Sequence, residues 1–288
     1  MSGANLAESA AHEPYCAMLG IGLEHADQDG ARIILPFRQE ISNPGGQVHG
    51  GVVSSLLGIA ARIGALARIG AAGPLLTNTI ELHTAYLSSA VSEEMVGQSR
   101  VLRRGKELVH LRAEVTAAQG KPIAAGTAIF RAVTGGENPT GAPGVPPFTA
   151  EEREVPRIAQ TLVATPFISA LGMKIEYYHQ GRARLRMAFR NDLADAGGGL
   201  HEGALGALVD TAGAMAAWSL VRPQPGMRVS TVSIDANFFA LAPGRGVIAW
   251  SSNLARRKEA FFNRVDVLAE DGTIVACGSV IYRIVLPE

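Results

Sequence analysis

The sequence predicts an α+β protein built of two like halves, each an antiparallel sheet wrapped round one long helix. Three observations carry this. The first is a repeat in register: FRQEISNPGGQVHGG (residues 37–51) returns as FRNDLADAGGGLHEG (residues 189–203), an offset of 189 − 37 = 152. The same offset pairs Gly20 with Gly172, His49 with His201, Lys106 with Lys258, Glu107 with Glu259, Arg112 with Arg264 and Arg131 with Arg283. A register held that long marks a duplication, with units of roughly 130 residues, each able to bury a core. The second is a nearly uncharged, alanine-rich run after each histidine, VVSSLLGIAARIGALARIG and ALGALVDTAGAMAAWSLV. Length and small side chains favour a buried helix there. The third is that three strand-like stretches follow each of these helices.

In chain order, each unit opens on a short helical or turn segment (residues 15–22 and 166–173) and a strand of alternating residues (31–37 and 182–189). The glycine-rich loop and the helix come next. The strands that follow span 76–87, 96–115 with a basic turn, and 123–133 in the first copy, and 230–241, 247–268 and 274–285 in the second. Between the units, TGGENPTGAPGVPPFTAEEREVP is rich in Gly and Pro and then charged, which reads as a linker. The expected division is residues 1–133, a linker at 134–156, and 157–288.

Composition narrows the function classes. Lys plus Arg and Asp plus Glu are 26 each, so no overall field draws the chain to nucleic acid or an anionic membrane. The two cysteines, Cys16 and Cys277, have no metal-ligand spacing, which suits a reducing compartment. The start, MSGANLAESAAHEPY, lacks the basic residues and apolar run of a signal peptide. No membrane span is expected from the sequence. A soluble, cytoplasmic protein is expected.

The strings HGGVVSSLLGIA and HEGALGALVDTAGAMA, followed by strands ending in HTAYLSSA and NFFALAPG, resemble the hotdog-fold acyl-CoA thioesterases of the phenylacetic-acid-degradation type. The resemblance covers both halves and implies two fused hotdog domains forming an intrachain pseudo-dimer, with sites at the domain interface. It implies that one partner gives an Asn six residues before the motif histidine and the first Gly after it. The other gives an acid nine residues after its own histidine and a Ser or Thr on the next strand. The first copy carries Asn43, His49 and Gly50 but has Gly58 at the acid position; the second carries Asp210 and Ser233 but has Asp195 and Glu202 in place of the Asn and Gly. One composite site, Asn43, His49, Gly50, Asp210 and Ser233, is therefore expected to be complete. The reciprocal set, Asp195, His201, Glu202, Gly58 and Thr79, is expected to be degenerate.

The residue types suit the chemistry. Thioester cleavage builds negative charge on the carbonyl oxygen, and N–H groups at a helix start are fixed donors for it. Gly50 would open such a helix and allow close approach, whereas Glu202 would add bulk and a like charge. Asp210 lies mid-helix, where an unpaired carboxylate is costly to bury. It could attack the thioester directly or activate a water. Asn43 would orient the water or carbonyl, and Ser233 would hold Asp210 or the water. Structural readings stand beside each of these: an interface polar network for Asp210, fixation of the glycine loop for both histidines, a turn for Asn43, and a cross-strand hydrogen bond for Ser233.

Two basic clusters recur at nearly the same register, Arg103, Arg104 and Lys106, and Arg256, Arg257 and Lys258. They are either solvated hairpin tips or contacts for the phosphates of coenzyme A. Phe238, Phe239, Phe261 and Phe262 would line an acyl tunnel or pack a strand core. The expected function is hydrolysis of an acyl-CoA to a carboxylic acid and free CoA, with CoA entering only as part of the substrate and with no metal or redox cofactor. A non-hydrolytic acyl-CoA binding or regulatory module is the alternative, and a hotdog-type hydratase finds no matching segment. A homodimer of double hotdogs is expected.

Overall fold

In the computed structural model, residues 3–70, 75–134, 142–149 and 154–287 are described. The first unit comprises α1 (Gly3–Ala11), α2 (Pro14–Leu19), β1 (Gly22–Ala26), β2 (Gly30–Leu35), α3 (Gly50–Ile69), β3 (Leu75–Tyr86), β4 (Met95–Arg104), β5 (Leu108–Ala117) and β6 (Pro122–Thr134). The second repeats the order with α4 (Arg157–Val163), α5 (Pro166–Ala170), β7 (Lys174–His179), β8 (Arg182–Met187), α6 (Glu202–Trp218), β9 (Arg228–Phe238), β10 (Val247–Arg257), β11 (Ala260–Ala269) and β12 (Ile274–Val285). The expected long helices and the three strands after each are present. The helices α1 and α4 and the edge strands β1 and β7 go beyond the sequence reading. β1, GLEHA, is too short and too exposed on both faces to display a period.

Among the described residues, twelve strands form one sheet in the order β1-β2-β4-β5-β6-β3-β9-β12-β11-β10-β8-β7, every neighbouring pair antiparallel. The halves meet edge to edge at β3 and β9, where His83 pairs with Asp235, Nδ1 to Oδ1 2.7 Å. Because 235 − 83 = 152, each residue of this pair occupies the other's position in its own copy. The twofold relation between the units passes through it. Joining two edges at the seam also satisfies backbone groups that each unit alone would leave open.

The long helices lie against one face of the sheet and against each other. Along α3, Leu56, Leu57, Ile59 and Ile63 are fully buried or nearly so, each contributing about 1.5–3 kcal/mol by removal from water. Small residues set the helix spacing: a Cβ added at Gly51 would lie 2.7 Å from the Ala207 Cβ across the interface. By length and composition α3 could cross a membrane, and it is the only such helix among the described residues. Here it is a core helix with most of its surface buried in the fold.

Of the expected linker, residues 135–141 and 150–153 lie outside the described residues. The stretch between is bound to the second unit. The Gly144 N–H donates to Gly272 O at 2.8 Å and the Ile274 N–H to Ala142 O at 3.0 Å. Phe148 packs on Tyr177 and Trp250, with ring centroids 5.6 and 5.0 Å away.

Candidate active site

Each glycine-rich loop ends in a histidine with extended backbone that caps the long helix after it. His49 Nδ1 accepts the Gly51 N–H at 2.9 Å, and His201 Nδ1 accepts the Gly203 N–H at 2.9 Å. The cap satisfies one of the donors that a helix start leaves open. Burial pushes His49 down to about 4, so its ring is neutral at physiological pH, with Nδ1 occupied as an acceptor. The next donor, the Gly50 N–H, makes no hydrogen bond within the described residues.

Against this helix start lies Asp210, from the middle of α6. A Cβ added at Gly50 would sit 2.9 Å from Asp210 Oδ2, so only a glycine lets the carboxylate approach this closely. Thr231 Oγ1 donates to Asp210 Oδ1 at 2.6 Å, and His49 Nδ1 is 3.9 Å from Oδ2. Burial pushes Asp210 up to about 6, tempered first by the hydrogen bond from Thr231 and then by the nearby Gly51 N–H. Tyr86, at the end of β3, donates to Gly50 O at 2.9 Å and fixes that peptide. Asn43, His49, Gly50, Asp210 and Thr231 all line one cavity of about 440 Å³ between the two units. Asn43 closes its turn through the backbone, N–H to Gln47 O at 2.7 Å, and its amide has no partner among the described residues. Its counterpart Asp195 instead spends Oδ1 on the N–H groups of Gly197 and Gly199 at 2.8 and 3.0 Å.

One expectation is corrected. The hydroxyl on Asp210 belongs to Thr231, and Ser233 does not line the cavity. The cause is a β-bulge: Ile281 faces Ser233 while its neighbour Tyr282 faces Thr231, so Val232 is skipped. An extra residue reverses the alternation of faces, which puts Thr231 on the helix side with Ile234 and Ala236, and Ser233 on the other. The repeat held the signal, since Thr79 plus 152 is Thr231, and β3 has its own bulge between Thr79 and Glu81. Replacing Thr231 with Val should raise the Asp210 pKa and move the acid limb of activity to higher pH. Ser233→Ala should leave that limb in place. A pH profile of both variants checks this.

The reciprocal position is closed by charge. Arg62 donates from Nη2 to Glu13 Oε1 at 2.8 Å and from Nη1 to Glu202 Oε2 at 3.1 Å, all three groups buried. His201 Nε2 lies 3.3 Å from Glu13 Oε2. Although burial opposes it, Glu202, Cys16 and Glu13 raise His201 well above its usual value. Burial would raise Glu13, but His201 and Arg62 together hold it down at about 2. At the 152 offset Arg62 corresponds to Ala214 and Glu13 to Thr165, both of which line the open cavity. The space left beside Arg62 and Glu202 is about 40 Å³. Arg62 and Glu13 carry no signal in the sequence because, taken singly, a helical Arg and a Glu before a Pro look ordinary.

The basic clusters separate. Strand register puts Leu108 level with Arg131 and Asn78, at the far end of β3 from Tyr86. Arg103, Arg104 and Lys106 therefore lie at the reciprocal end. Ala260 is level with Arg283 and Ser230, so Arg256, Arg257 and Lys258 lie at the cavity end, two strands or about 10 Å from Ser230. None of the six lines the cavity. The four phenylalanines, expected to line an acyl tunnel or to pack a strand core, are also away from the cavity. Phe238 and Phe239 border the small reciprocal space, Phe261 is core, and none of the four borders the large cavity. Its aromatic lining is Tyr86, Trp218 and Tyr282, whose counterparts in the other copy are Phe238, Leu66 and Phe130.

Among the described residues, no three His, Cys, Asp or Glu side chains converge as a metal-ligand set.

Residues 38–131 match the family model of the acyl-CoA thioesterase N-terminal domain. A protein of Halobacterium salinarum named as a candidate esterase is 33% identical over 92 residues, 31% of this chain and 60% of that protein. The match thus spans less than two thirds of that relative's length. Among solved structures, a thioesterase candidate from Novosphingobium aromaticivorans superposes with a TM-score of 0.66 at 16% identity, covering 92% of this chain and 98% of the other. The acyl-CoA thioesterase II of Mycobacterium marinum gives 0.64 at 15% identity, covering 94% and 98%. The chain therefore has the tandem hotdog fold over more than nine tenths of its length, as the sequence predicted, and residues 38–131 carry the thioesterase domain match.

Proposed function

We propose that this chain is an acyl-CoA thioesterase with one working site, composed of Asn43, His49 and Gly50 from the first unit and Asp210 and Thr231 from the second. The observation that carries the reading is a buried carboxylate, Asp210, held against a helix start whose first N–H is free, at the wall of a cavity of about 440 Å³. The thioester carbonyl accepts the Gly50 N–H, which is strengthened by the helix dipole. Asp210 Oδ2 takes a proton from a water as the water oxygen bonds to the carbonyl carbon. The carbonyl electrons move to oxygen, and on their return the C–S bond breaks. Asp210 then returns the proton to the departing thiolate, leaving a carboxylic acid and free CoA. A carboxyl that titrates near 6 suits both transfers. Thr231 fixes Oδ1, so that Oδ2 is the working oxygen, and Asn43 orients the water. A single turnover in oxygen-18 water separates this route from direct attack by Asp210. Label found in Asp210 marks attack by the carboxylate with water opening the anhydride at the Asp carbon, whereas the general-base route leaves Asp210 unlabelled and puts the label in the product acid.

The buried wall of the cavity takes the acyl group, and the rim at Pro44, Ser88, Ser89 and Ser230 faces CoA. Arg256, Arg257 and Lys258, at this end, bind its phosphates. Exchanging all three for Gln should raise KM for acyl-CoA about tenfold at low salt, with the difference shrinking as salt is added. The same exchange at Arg103, Arg104 and Lys106 should change KM less than twofold. Equal effects at the two tips would remove the assignment. The chain works in the cytoplasm as a homodimer of double hotdogs, and light scattering at micromolar concentration tests the dimer.

A further inference from the structure

Deep in the open cavity, beyond the hydroxyls of Thr165 and Thr211, stands one hydrogen-bonded aromatic pair. The Trp218 indole N–H donates to the Tyr282 hydroxyl at 3.3 Å, and both residues line the cavity at 7% and 8% exposure. Around them stand Leu162, Ile168, Ala214 and Met215. Because the Tyr282 oxygen accepts from Trp218, its own O–H must point elsewhere, and no acceptor for it exists among the described residues. An O–H donor buried without an acceptor is costly, and the fold does not require it. At the equivalent places the other copy has Phe130, fully buried, and Leu66. The hydroxyl and the indole that orients it occur only at the open site. Tyr282 also faces Thr231 across the strand pair, so it stands beside the residue that holds Asp210.

We infer that Tyr282, aimed by Trp218, is a specificity residue that donates a hydrogen bond to an oxygen on the acyl group, so that the preferred substrates are acyl-CoAs with a hydroxyl or oxo group rather than plain hydrocarbon acyl chains. This rests on the thioesterase reading of the cavity and adds the class of acyl group. A purely apolar chain leaves the phenol unpaired and forgoes the contact, and sites built around such a donor discriminate strongly against analogues that lack the acceptor.

The test compares hexanoyl-CoA with its 3-hydroxy, 3-oxo, 5-oxo and 6-hydroxy derivatives. Initial rates of thiol release are measured for the unmodified protein and for Tyr282→Phe, a change that the first copy already tolerates as Phe130. In parallel, calorimetry with Asp210→Asn gives Kd for the same compounds without turnover. At least one oxygenated compound should exceed hexanoyl-CoA about tenfold or more in kcat/KM and in affinity. Tyr282→Phe should bring the kcat/KM and affinity of that compound down to those of hexanoyl-CoA measured with the same variant, so that their ratio falls to about one. Trp218→Phe should weaken the advantage without removing it. Equal use of all five compounds, preference for hexanoyl-CoA, or an advantage that survives Tyr282→Phe would overturn the inference. If no compound releases thiol yet the binding preference appears and depends on Tyr282, hydrolysis is refuted and the recognition role stands.

Discussion

Asp210→Asn should lower kcat for thiol release from acyl-CoA by on the order of a hundredfold or more, while the fold is retained. Asn preserves the volume and can still accept from Thr231, so the loss is confined to the base. The unmodified protein should show an acid limb near pH 6, because burial places the Asp210 carboxyl there. Activity rises as pH passes upward through that value and the carboxylate forms, and falls below it. His49, pushed down to about 4 by burial, adds no limb in the neutral range. Installing an acid at the equivalent place, Gly58→Asp, should give no second activity. Its Cβ would come within 3.1 Å of the Leu82 Cδ2, and Arg62 and Glu202 still fill the space. A measured gain of activity from Gly58→Asp would show that the reciprocal position is open after all.

The largest effect on stability is expected from Arg62→Ala. Arg62 joins Glu13, at the start of α2, to Glu202, at the start of α6. Removing one partner from a buried ion network strands the remaining charges and costs about 3–5 kcal/mol. In a chain of this size that lowers Tm by roughly 10 °C. The loss should be reduced when Glu202→Gln is combined with it, since one stranded carboxylate is then gone, and a double-mutant cycle by thermal melting measures that coupling. In the unmodified protein the sign with pH follows from the two shifted groups. Glu13, held at about 2 against an ordinary 4.5, stabilises the fold above pH 4.5, and that contribution fades as pH falls toward 2. His201, raised above its ordinary 6.5, contributes fully below that value and less as pH climbs through its folded pKa.

The repeat made the helices, the glycine loops, Asn43, Gly50 and Asp210 legible, because each depends on local sequence and on comparison between copies. Thr231 escaped because a bulged residue changes which side chain faces inward, and bulges leave little trace in composition. Applying the 152 offset to Thr79 would have found it. The two basic tips read alike in sequence and sit at opposite ends of the sheet, since only register across several strands relates a hairpin to a cavity. The same comparison between copies, extended to hydroxyl and indole groups, would have marked Tyr86, Trp218 and Tyr282, whose counterparts are Phe238, Leu66 and Phe130. Arg62 and Glu13 gain meaning only from their distance to Glu202, which no linear pattern displays.

The seam at His83 and Asp235 has a consequence for how such a molecule can change. In an assembly of two identical subunits, any substitution appears at both symmetry-related positions, so a charged group that strengthens one contact also enters the other. Here the two subunit equivalents share one chain, and the seam preserves their mutual placement while letting their side chains diverge. Glu202 can anchor a buried ionic lock on one flank while glycine stays at the matching point on the other. Fusion has released the protein from its own symmetry, so rigidity and chemistry are assigned to opposite sides of the same axis.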